Sequence, residues 1–246
     1  MPLLTRSTLQ SHTIPGSNFT FSAASIQGLS ASEYTISTIT IDTSGSVHPY
    51  IDEIEKAAQN IVTACRQSPR SENIMLRTVE FNSALVETHG FKTIPTCDPA
   101  NYHKIFTAQG YTALYDATIN SVESLGSYGR SLYDHDFDVN GIIFVITDGG
   151  DNNSKRGASD VKASIHRLRR SECLDSLLMI LIGVNVQDAS LSQSLERFSK
   201  EADFDHYIEL ADADPNTLAK LSRFVSRSIS LQSRSLGTGN APRLTF

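Results

Sequence analysis

Gly141-Ile-Ile-Phe-Val-Ile-Thr147 is an apolar run of strand length that ends abruptly at Asp148-Gly149-Gly150-Asp151-Asn152. A strand with one wet face alternates apolar and polar residues, whereas one covered on both faces reads as a continuous apolar stretch. This run is of the second kind and predicts an interior strand of a sheet sandwiched between helices. Leu177 to Val184 repeats the pattern downstream, and the β-branched stretch Tyr34 to Ile41 reads as a strand upstream.

The segments between these strands carry helical spacing. Within Pro49 to Arg66, apolar residues fall at Ile51, Ile54, Ala58, Ile61 and Val62. Further helices are expected from Thr112 to about Leu125, Ser159 to Arg170, Ser190 to Ala202 and Asp214 to Leu231, the last opened by Asp214-Pro215. Asn73 to Phe81 and Ala84 to Thr88 read as a hairpin joined at Asn82-Ser83, and His206 to Leu210 as a short strand. Gly126 to Asn140 reads as a polar loop. This alternation of strands and helices predicts an α/β fold: a doubly wound, mostly parallel sheet with one antiparallel edge strand and helices on both faces. Residues 34–232 form the domain. Residues 1–33 read as a Ser/Thr-rich arm in which Phe19 and Phe21 suit a short edge strand, and residues 233–246 as a loose tail.

In such sheets the ligand site lies beyond the carboxyl ends of the strands, where the strand order reverses. Three strand ends or helix entries there are rich in hard oxygen donors. The first strand ends in Asp42-Thr43-Ser44-Gly45-Ser46, the helix near residue 112 is entered through Gly110-Tyr111-Thr112, and the run at 141–147 ends in Thr147-Asp148-Gly149. Asp42, Ser44, Ser46, Thr112 and Asp148 together suit Mg²⁺, which takes oxygen ligands in near-octahedral geometry and keeps open or water-filled positions. Mn²⁺ or Ca²⁺ are alternatives. Each piece alone has a plainer reading: Ser44 and Ser46 as helix caps, Thr112 as an N-cap, Asp148-Gly149 as an ordinary turn. The rim residues Asp151 and Asn152 divide evenly between a site role and plain loop.

The set DxSxS at Asp42, Ser44 and Ser46, the Thr at 112, and TDG at Thr147-Asp148-Gly149 resembles the metal-ion-dependent adhesion site of von Willebrand factor A domains. The words IDTSGSV, GYTALYDA and FVITDGGDN resemble its intracellular bacterial or phage type. The resemblance covers about residues 35–230. It implies that Ser44 and Ser46 ligate the metal through hydroxyls, Thr112 directly or through water, and Asp42 and Asp148 largely through water. It also implies that a Glu or Asp of a partner protein fills the remaining position. The expected function is a non-enzymatic, metal-dependent protein-binding module. The alternative is a structural subunit of a virion or similar particle, using the domain as a clip between subunits.

Composition narrows the classes further. The 246 residues carry a net charge of −6 with no long basic run, so no nucleic-acid partner is expected. Three scattered cysteines argue against a disulfide framework, and no apolar stretch reaches membrane-spanning length. A location in the cytoplasm or in a particle is expected, with no membrane partner. Asp134 to Asn140 superficially resembles a calcium loop but has Val139 where the tight turn needs Gly and Val145 where the template needs Glu. No phosphate-cradling glycine motif follows the first strand, no nucleophile elbow is present, and Ser44 stands where an aspartyl phosphatase needs its second carboxylate.

Overall fold

The computed structural model describes residues 9–14, 19–184, 189–210 and 215–232. Its strands are β1 (Leu9–Thr13), β2 (Thr20–Ala24), β3 (Glu33–Asp42), β4 (Ile74–Phe81), β5 (Leu85–Thr93), β6 (Asp138–Thr147), β7 (Ser176–Val184) and β8 (His206–Leu210). Its α-helices are α1 (Ile51–Arg66), α2 (Leu114–Tyr133), α3 (Ala158–Arg169), α4 (Ala189–Ala202) and α5 (Pro215–Gln232).

All eight strands form one sheet in the order β1-β2-β5-β4-β3-β6-β7-β8. Strands β4, β3, β6, β7 and β8 are mutually parallel, and β5 runs antiparallel to β4. The apolar run at 141–147 lies in β6, where every residue from Val139 to Thr147 is buried. Its side chains alternate between two cores. Val139, Ile143 and Val145 pack with residues of α2, α3 and α4, while Ile142, Phe144 and Ile146 pack with residues of α1 and α5. Helices on both faces explain the continuous apolar reading.

The chain passes from β3 to β4 on one side and returns to β6 on the other, so the strand order reverses between β3 and β6. Their carboxyl ends are Asp42 and Thr147.

Three stretches differ from the sequence expectation. Within residues 1–33, β1 and β2 form an antiparallel hairpin at the edge of the sheet, with β2 parallel to its neighbour β5. Helix α2 runs on to Tyr133, well past Leu125. Gly126 and Gly129 look like helix breakers in sequence, but they serve close packing: an added Cβ would stand 2.8 Å from Leu168 Cδ1 and 2.8 Å from Leu174 Cδ2, respectively. The polar loop expected at Gly126 to Asn140 therefore shrinks to residues 134–137. That acidic turn precedes β6 and so sits at the end of the sheet opposite Asp42. The tail 233–246 and Asp214 lie outside the described residues. The three cysteines are buried and unpaired, and no helix among the described residues is long and apolar enough to cross a membrane.

Candidate metal centre

Asp42 ends β3 fully buried, and its two carboxylate oxygens have separate partners. Oδ1 accepts the Ser44 amide at 2.8 Å, which bends the chain out of the strand, and Oδ2 accepts the Thr147 hydroxyl from the end of β6 at 2.6 Å. The Thr147 hydroxyl in turn accepts the Gly149 amide at 3.2 Å. One carboxylate thus shapes both strand-end turns.

Ser44 adopts extended backbone before a short 3₁₀ helix at Gly45–Tyr50, and its side chain caps nothing. Its hydroxyl lies 3.1 Å from that of Ser46, and Ser46 Oγ donates to Asp148 Oδ1 at 3.0 Å. Four of the five sequence-predicted residues, Asp42, Ser44, Ser46 and Asp148, are therefore linked at one end of the sheet. Thr112 reaches the same end through its backbone. Gly110, at φ +74, accepts the Gly45 amide at 3.0 Å, which sets residues 110–112 against the Ser44–Ser46 turn. Thr112 is not a capping residue, because Ala113 holds the N-cap position of α2.

The electrostatics set this end of the sheet apart. Asp148 is only 4% exposed, and neither it nor Asp42 forms an ion pair with Lys, Arg or His among the described residues. Burial raises the Asp42 carboxyl above its ordinary range, against the opposing hydrogen bonds from Thr147 and Ser44. Burial and then the neighbouring Asp42 charge push Asp148 up to about 6, with the Ser46 bond pulling the other way. Two buried carboxylates without a cation are costly, and charges taken out of water need a partner.

The residues present fit a small divalent cation. Adjacent ligands of an octahedral ion with bonds of about 2.0–2.1 Å stand about 2.9 Å apart. The Ser44–Ser46 and Ser46–Asp148 oxygen separations are 3.1 and 3.0 Å. The donor set is oxygen only, which suits Mg²⁺ and Mn²⁺ better than softer ions. Among the described residues no group of three His, Cys, Asp or Glu side chains suits a metal, so a cation beside Asp42 and Asp148 would need further oxygen donors, such as the Ser44 and Ser46 hydroxyls.

Sequence reading left Asp151 and Asn152 undecided, and the structure gives both a positioning task. Asn152 Oδ1 accepts the Thr112 amide at 2.8 Å, while the Asn152 and Asn153 amides both donate to the Thr112 carbonyl at 3.0 Å. Asp151 accepts the Tyr115 amide at 3.1 Å and the Ser154 amide at 3.1 Å, and also takes the Ser154 hydroxyl. Ser154 Oγ accepts the Asp116 amide at 3.0 Å, and Asp116 binds Arg156 Nε at 2.8 Å. The loop after β6 therefore caps α2 and holds Thr112. A run of Asx and Ser after a strand does signal side chains seeking backbone amides. Its partners lie some forty residues away, so the sequence does not reveal them.

No protein-family model and no curated protein sequence matches the chain. Solved structures do match in fold. The PilB minor pilin of Streptococcus sanguinis superposes with a TM-score of 0.59 at 15% identity, over 86% of this chain and 64% of the pilin chain. The open form of the pilus adhesin SpaC of Lactobacillus rhamnosus GG gives 0.58 at 11% identity, over 81% of this chain and 30% of the adhesin. The conserved hypothetical protein BatB of Bacteroides thetaiotaomicron gives 0.50 at 16% identity, over 82% of this chain and all of that one. This chain spans less than two thirds of the pilin and adhesin chains it matches. At such identities the likeness concerns fold alone: a mixed α/β sheet, mostly parallel, with helices on both faces.

Proposed function

We propose that this domain holds one divalent cation, Mg²⁺ in the first instance, between Asp42, Ser44, Ser46, Thr112 and Asp148, and uses it to capture an Asp or Glu side chain of a partner protein. The observation that carries this reading is the pair of buried carboxylates, without a cationic partner among the described residues, joined through the Ser44 amide and the Ser44 and Ser46 hydroxyls at the switch point of the sheet. A bound Mg²⁺ supplies a Lewis-acidic position that a carboxylate oxygen can fill. The chain's own residues do the rest. Asp42 fixes both strand-end turns, Ser44 and Ser46 offer uncharged oxygens, Asp148 offsets the cation's charge, and Asn152 keeps Thr112 at the rim. In this reading Asp42 and Asp148 hold the cation, and no catalytic step is assigned to the site.

The test is calorimetric titration of Mg²⁺ into the wild type and Asp148→Ala, followed by capture of native binding proteins with and without chelator. Saturable Mg²⁺ binding that Asp148→Ala abolishes, and a partner retained only with Mg²⁺, are expected. Absence of Mg²⁺ binding by the wild type would sink the proposal. A second reading, a clip in a larger assembly, draws on β1, which forms one edge of the sheet, and on the fold shared with a minor pilin. Open edge strands pair readily with another chain. Light scattering that finds a monomer with and without Mg²⁺ at all accessible concentrations would dispose of it.

A further inference from the structure

We infer that Tyr111 and the turn beside it form a second contact next to the metal centre, so that the captured acidic residue is flanked in the partner by an apolar or aromatic side chain. The inference rests on the capture reading above and adds to it the partner's neighbouring residue.

Among the described residues, the large hydrophobic side chains that stand exposed are Val86, Ile105, Tyr111 and Tyr133, and Tyr111 is the most exposed at 66%. It immediately precedes Thr112. An isolated surface tyrosine is ordinary, but this one stands on a backbone fixed from three directions. Gly110 accepts the Gly45 amide at 3.0 Å, and the Tyr111 amide donates to Ser83 Oγ at 2.8 Å. Thr112 is held by Asn152, and the Ala113 amide donates to the Asn82 carbonyl at 3.0 Å. A side chain at position 110 would be strained: φ is +74, and a Cβ would stand 2.8 Å from Ser83 Oγ.

An aromatic ring with few rotatable bonds on a pre-ordered backbone loses little entropy on binding. That is why such tyrosines serve as anchors at interfaces. Two small apolar side chains, Ala84 and Val86, follow Ser83 in sequence. Ala84 is exposed, and Val86 is 57% exposed at the start of β5. Ala84 and Val86 offer neither charge nor side-chain hydrogen-bonding groups, and the Tyr111 ring presents an aromatic face, so an apolar or aromatic side chain complements them. The cation position and the exposed Tyr111 beside Thr112 together describe a segment with a carboxylate and an adjoining hydrophobic side chain.

Two biotinylated peptides, Gly-Ser-Glu-Phe-Ser and Gly-Ser-Glu-Ser-Ser, arrayed on streptavidin biosensors, test this with the whole chain in saturating Mg²⁺ and in EDTA. The Phe peptide is expected to bind about tenfold more tightly, an advantage in the range of one aromatic contact. Tyr111→Phe should keep that preference and Tyr111→Ser erase it, and Mg²⁺ titration of both variants reports whether the loop is intact. Equal Mg²⁺-dependent binding of both peptides, or a preference that survives Tyr111→Ser, overturns the Tyr111 contact and leaves acid capture standing. Binding of neither peptide by a protein that does bind Mg²⁺ overturns both.

Discussion

Asp148 shows how a single residue can be placed against its own folded stability. Its carboxyl titrates near 6 in the fold and at 3.8 when free, because burial and the nearby Asp42 disfavour its charge. The folded protein therefore binds this proton more tightly than the unfolded chain. In protein stripped of divalent cations, stability should rise as pH falls from about 6 toward 4 and be lost as pH climbs back. About two pH units correspond to at most ~3 kcal/mol. Asp148→Asn keeps a hydrogen-bond acceptor for Ser46 without the charge. At pH 8 in EDTA it should be more stable than wild type by about 1–3 kcal/mol, roughly 3–8 °C in Tm. Saturating Mg²⁺ should reverse the order by stabilising the wild type alone, by roughly 3 kcal/mol at a hundredfold excess over Kd. Thermal melts at pH 5 and 8, with Mg²⁺ and with EDTA, check this. If the Asn variant is less stable than wild type in EDTA at pH 8, the buried charge is satisfied by something other than a cation.

At the scale of elements, the legible parts were those whose signal is local. The β6 and β7 runs, the spacing in α1 and the three words that hold the proposed ligands declare themselves within a dozen residues. The second half of α2 did not, because its glycines look like breakers until Leu168 and Leu174 are packed against them. The task of Asn152 was hidden for the same reason: its partner, Thr112, is forty positions away. Residues 110–113 bond to the turns after β3, β4 and β6, so the loops that carry the proposed ligands behave as one body. Asn152→Ala removes the side-chain half of this clamp and leaves the two amides on the Thr112 carbonyl. The expected cost is about 1 kcal/mol in stability, the net worth of one hydrogen bond, with a fall of roughly tenfold in Mg²⁺ affinity, as for other residues that orient a metal ligand. Asn152→Asp, which keeps the acceptor, should recover most of the affinity. Calorimetry beside a urea melt separates the two effects. If Mg²⁺ affinity is unchanged in Asn152→Ala, Thr112 either is no ligand or needs no clamp.

Across the whole molecule, the amino-terminal hairpin, the sheet and α2 meet at one buried charge that no local pattern announced. Arg77 lies in β4 at 2% exposure, amid residues that otherwise read as an apolar strand. Its Nε donates to Glu87 Oε2 on β5 at 2.7 Å, and Nη1 donates to Ser124 Oγ at 3.0 Å and Asn120 Oδ1 at 3.3 Å on α2. Glu87 also accepts the amide and hydroxyl of Ser22 on β2, at 3.0 and 2.6 Å. The members span a hundred positions, so only the strand order brings them together, and residues 1–33 could read as a separate arm. A buried guanidinium tolerates burial only with its partner. Glu87→Ala should therefore destabilise by about 3–5 kcal/mol, more than an exposed ion pair is worth, because it leaves Arg77 uncompensated. Replacing both partners by apolar residues of similar volume, Arg77→Met with Glu87→Leu, should restore most of that loss, since it removes the stranded charge along with the bond. Urea unfolding of Arg77→Met, Glu87→Leu and the double variant measures the coupling. If the double variant is as unstable as the sum of the singles, the pair is not coupled. The hairpin would then be held by its aromatic contacts, such as Phe21 against Phe91, instead of by this network.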